Sequence, residues 1–75
     1  MSNIHFASIA QNTDTTVNLL VFDGDKIIDR QEGLHDHWAS DHWVKEHYGM
    51  NLEIGECFAS HNAFRASRYG KMMRG

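Results

Sequence analysis

Six histidines, two tryptophans and one cysteine are the side chains of this 75-residue sequence with the most chemical potential. Four of the histidines and both tryptophans crowd into His35–Tyr48. Zinc takes neutral imidazole, thiolate or carboxylate ligands converging as a tetrahedron, commonly a close pair plus a distant pair. His35 and His37 could supply one pair. Cys57 and His61 supply another if they lie at i,i+4 on one helix face, where side chains are a turn apart. His37, His42 and His47 recur every five residues, so on a helix successive members point about 140° apart and share no face. No zinc signature results. The expectation is therefore solvated histidines, with His47 hydrogen-bonded at the core boundary and no resident cofactor; a zinc cage of His35, His37, Cys57 and His61 is the weaker reading.

The same groups are poor catalysts as the sequence presents them. Cys57 with a histidine admits a nucleophile pair, but no motif surrounds it. His42 and Glu46 stand at i,i+4 on an exposed helix face, without the enclosed site that general acid–base chemistry exploits. An enzyme is not expected, a metal- or Cys/His-dependent activity being the exception. Asp23-Gly24-Asp25 lacks the rest of a calcium loop and reads as a turn.

The tryptophans say more. Helical periodicity over His37–Tyr48 puts Ala39, Trp43, Val44, His47 and Tyr48 on a broad inner face, leaving Asp41, His42, Lys45 and Glu46 outside with Trp38 among them. Trp38 either folds back over Leu34 or stands exposed as an interface anchor, since tryptophan buries large area at low entropy cost. Asp41, Glu46, Glu53 and Glu56 would then ring it with negative charge, a surface suited to a basic partner. The expected partner-binding set is Trp38, Asp41, His42 and Glu46.

Charge is divided along the chain. Residues 1–56 hold three basic and ten acidic residues, net −7, and residues 57–75 hold four basic and no acidic ones, net +4. Arg65, Arg68, Lys71 and Arg74, interleaved with Phe64 and Tyr69, are the candidate contacts of an alternative nucleic-acid-binding or regulatory function. Four cations release few counterions and the acidic body repels phosphate, so a solvated basic helix end is the simpler reading.

The elements that must position these residues are partly legible. Ile4–Ala10 alternates, and Thr16–Phe22 is apolar on both faces, the mark of a central strand. Asp23-Gly24 before Lys26–Arg30 predicts a hairpin, and Gly33 is expected to end the strands. Asp36 is the expected N-cap of a helix over His37–Tyr48, with Gly49 as its left-handed C-cap. Met50–Ile54 reads as a short edge strand and Glu56–Tyr69 as a second helix, with a strand through Phe58 competing. The expected fold is α+β, order β-β-β-α-(β)-α: a small antiparallel sheet of three or four strands with two helices on one face. Residues 1–75 form one domain, with 71–75 a flexible tail.

At this length burial is modest, and partners, metals or disulfides usually assist. The lone Cys57 excludes an internal disulfide. A single thiol, no signal-like leader and no long apolar run point to a reducing, cytoplasmic setting without membrane contact. No family motif is present. In size and charge alone the chain resembles the small inhibitors that phages and other mobile elements direct at host machinery, anti-CRISPR proteins among them, and no residue role follows from that. The function expected is a protein–protein interaction module, such an inhibitor or similar, occupying a basic surface of a host or cognate protein. Homodimerisation is compatible with it.

Overall fold

A computed structural model describes residues 3–11, 15–67 and 69. The expected tail 71–75 lies outside the described residues. The fold is α+β, with strands β1 (Ile4–Ala10), β2 (Val17–Asp23) and β3 (Lys26–Leu34), helix α1 (His37–Tyr48), a 3₁₀ turn (Ile54–Glu56), strand β4 (Cys57–Phe58) and helix α2 (His61–Ala66). The sheet order is β3-β2-β1-β4.

β1 and β2 pair antiparallel over seven residues, from Ile4 opposite Asp23 to Ala10 opposite Val17. The expected hairpin joins β2 to β3, with Asp23 opposite Lys26. Gly24 takes φ +65° at the first loop position, where a two-residue hairpin needs left-handed backbone. Gly33 does not end β3: it sits inside the strand at φ +73°, where the register with β2 slips between Val17 and Leu19. Its backbone freedom accommodates a bulge rather than a stop.

Two features of the expected sheet are corrected. β4 pairs parallel to β1, through Ser8–Cys57 and Ile9–Phe58, so the sheet is mixed rather than antiparallel. The reason is connectivity: β3 runs alongside β1's direction, and a strand–helix–strand crossover through α1 returns the chain in that same direction. The helices also cover opposite faces. Val44 of α1 packs with Phe6, Leu19 and Val21, flanked by Trp43 and Tyr48. Phe64 of α2 and Tyr69 pack with Ala7, Ile9, Leu20 and Phe22. Strands apolar on both faces expose one core if helices cover only the other, so each face takes its own helix.

The expected strand at Met50–Ile54 is absent, and the expected helix over Glu56–Tyr69 is cut to His61–Ala66. Ser60 sets the new start, its Oγ accepting from Ala63 N–H at 3.1 Å. Upstream, Glu56 is a buried carboxylate that holds backbone in place of a strand. Its Oε2 accepts from Phe6 N–H at 2.7 Å and its Oε1 from Glu53 N–H at 2.8 Å.

Candidate functional site

α1 is anchored at both ends as its sequence predicts. Asp36 Oδ1 accepts from Ala39 N–H at 2.8 Å, and Gly49, at φ +65°, donates its N–H to Lys45 O at 3.0 Å. Its inner face differs from the expected one, because a serine sits at its centre. Ser40 and Val44 are the buried residues of the helix. Ser8 Oγ, also fully buried, donates to Ser40 Oγ at 3.0 Å. That uses its one proton, so the 2.7 Å contact with His37 is a bond donated by His37 Nδ1. This trio pins the first turn of α1 to β1. Phe6 meets Tyr48 edge-on at 5.6 Å and fastens the last turn. His47 is exposed, not at the core boundary; it stacks on Trp43 at 4.2 Å, its Nδ1 donating to Trp43 O at 2.9 Å.

With its inner face so held, α1 presents a column outward. Trp38 is 75% exposed and does not fold back over Leu34. Its indole stacks on His42 with centroids 5.9 Å apart and planes 14° apart. His42 Nε2 in turn lies 2.9 Å from Glu46 Oε1. Residues i, i+4 and i+8 thus form one continuous stripe of an aromatic, an imidazole and a carboxylate.

Asp41 does not join it as a free charge. Its Oδ1 accepts from Leu52 N–H at 2.8 Å and its Oδ2 contacts Lys45 Nζ at 3.1 Å. The Leu52 N–H first, and the Lys45 ammonium after it, hold the Asp41 carboxyl below the usual carboxylate range. Asp41 is therefore a tie between α1 and the chain that follows it. The expected ring of acids around Trp38 is corrected accordingly, since Asp41 is neutralised by Lys45 and Glu56 is buried against β1.

The groups considered for zinc are separated in role. His37 is engaged by Ser8, and His35 is exposed ahead of the helix. Cys57 lies in β4 while His61 opens α2, so they do not share a helix face. Among the described residues no three His, Cys, Asp or Glu side chains are placed to hold a metal ion. Burial, then the Glu56 and Asp41 carboxylates, push the Cys57 thiol up, which opposes thiolate formation. Its Sγ lies 3.8 Å from Glu53 O. Of the four basic residues weighed for nucleic acid, Arg65 is exposed in the last turn of α2, and Arg68, Lys71 and Arg74 lie outside the described residues.

Two polar positions escaped the sequence reading. Ser8 continues the Ile4–Phe6 face of β1, and a hydroxyl on an apolar stripe signals a buried partner. His5 lies 5.2 Å from both Phe22 and Tyr69, which are themselves 5.1 Å apart, so the three rings form a triangular cluster. Its Nε2 donates to Gly24 O at 2.8 Å, leaving Nδ1 to accept from Tyr69 OH at 3.2 Å. Both tie β1 to distant parts of the chain. No helix among the described residues is long and apolar enough to cross a membrane. Comparison with family models, with curated proteins and with solved structures finds no match.

Proposed function

We propose that this protein is an interaction module that docks onto another protein through the outer stripe of α1, Trp38 being the anchor and His42 and Glu46 its polar flank. The exposure of Trp38 carries this reading: a large indole is held in water by a helix whose caps and inner face are fully engaged elsewhere. Stacking on His42 restrains the ring before any partner arrives, which lowers the entropy lost on binding. The net −7 over residues 1–56 favours a partner with a basic surface. An inhibitor of host machinery carried by a phage or other mobile element is one form such a module takes; that refinement rests on size and charge.

The test compares capture from a lysate of the source cells by the wild type, by Trp38→Ala and by Ile54→Ala. Ile54 is 93% exposed and controls for loss of any surface hydrophobe. A protein held by the wild type and by Ile54→Ala, released by added salt, and bound about 30-fold more weakly by Trp38→Ala is the expected result. Capture indifferent to Trp38, or retention of nucleic acid alone, would end this assignment.

A further inference from the structure

The sheet has a long open margin. β3 is the terminal strand in the order β3-β2-β1-β4, and it is nine residues long. Lys26 through Arg30 are all exposed, and Ile27 and Ile28 keep 44% and 50% of their surface in water. Such an edge is a template for another strand unless its side chains forbid pairing. Over the regularly paired stretch Asp29–Gln31 the charges oppose two of the three possible two-fold axes and permit the third.

A second copy adding antiparallel to β3 about a two-fold axis must bring like faces together, because a slip of one residue turns every side chain to the other face. β3 pairs regularly with β2 at Asp29, Arg30 and Gln31, opposite Val21, Leu20 and Leu19, with irregular steps on either side. An axis at Asp29 sets Asp29 against itself, and an axis at Arg30 sets Arg30 against itself. Like charges directly opposite destabilise a strand pair. An axis at Gln31 instead places Arg30 opposite the partner's Glu32, and Glu32 opposite the partner's Arg30. Arg30 Nε and Glu32 Oε1 already lie 3.2 Å apart within one strand, so both project from one face of the sheet. Two such pairs make a four-charge cluster. At its margins Ile28 comes toward the partner's Leu34, covering part of the exposed apolar edge.

We propose that β3 is a self-association edge at which two copies of this chain join antiparallel about Gln31, extending the four-stranded sheet across the dimer. The occupant is a second copy because the alternation of charge along β3 is complementary to its own reverse. The outer stripe of α1 takes no part, so this inference stands or falls separately from the docking assignment.

Sedimentation velocity over a concentration series tests it. The wild type is expected at twice the 8.6 kDa chain mass at its upper concentrations. Arg30→Glu and Glu32→Arg each set like charges opposite one another and are expected to self-associate about tenfold more weakly or worse. Their equimolar mixture restores opposite charges at every pair and is expected to regain the dimer. Circular dichroism melts of each variant confirm that the fold is kept. A wild type that stays monomeric throughout overturns the proposal. So does a dimer indifferent to Arg30→Glu, one not regained in the mixture, or one dissolved by Trp38→Ala.

Discussion

The two faces of the sheet solve the same burial problem by different means. On one, twelve-residue α1 is specified largely by itself, with Asp36 and Gly49 capping it, and rests on Phe6, Leu19 and Val21 and on the Ser8–Ser40–His37 trio. On the other, six-residue α2 is too short to be stable alone and belongs to an aromatic assembly. Phe22 and Tyr69 stack at 5.1 Å, and Phe58 meets Phe64 edge-on at 5.4 Å. A helix secured by caps and a narrow inner stripe can give its outer stripe to function. α2 buries Phe64 alone, and its exposed residues, His61, Asn62, Ala63, Arg65 and Ala66, include no large hydrophobe to act as an anchor. This is why the candidate docking residues fall on α1.

The comparison can be broken at its strongest point by Phe22→Ala. Phe22 is fully buried, and its loss removes the partner of both His5 and Tyr69. The expected cost is about 3–5 kcal/mol, lowering the thermal midpoint by about 15 °C or more in a calorimetric scan. Ser8→Ala probes the opposite face. It leaves Ser40 and His37 without their shared partner and is expected to cost about 1–3 kcal/mol in urea unfolding. A larger cost than for Phe22→Ala would reverse the ranking of the two faces.

The smallest effect concerns how α1 is tied to the chain beyond it. Asp41 has a lowered carboxyl pKa in the folded protein, so its contribution is present above the ordinary value of 3.8 and is lost as pH falls through the folded value. The stability difference between wild type and Asp41→Asn, followed by chemical unfolding, is therefore expected to be largest near neutrality. It should shrink as pH is lowered below 3.8. A difference independent of pH would mean that Asp41 acts through the shape of its hydrogen bond to Leu52 and not through its charge.

Local signals were legible wherever neighbours in sequence are neighbours in space. The bounds of α1, both its caps, the β2–β3 hairpin and the double-sided apolarity of β2 follow from propensity, capping and alternation. The prominence of Trp38 on the polar side of its helix was legible for the same reason, since i,i+4 geometry needs only the helix. Cys57 and His61 were misplaced together because their relation depends on Ser60, which starts α2 between them. Asp41 and Glu56 were misread as surface charge because their partners, Leu52 and Phe6, lie 11 and 50 residues away.

The sequence by itself thus determined the α+β class, the order of the elements, a capped α1 and a tryptophan off its apolar stripe. Only the tertiary structure decided that β4 runs parallel to β1, that the helices take opposite faces, and which acids are consumed in holding the backbone. Those choices depend on contacts between distant residues, where a polar group's fate is set by the donor it meets and not by its own type.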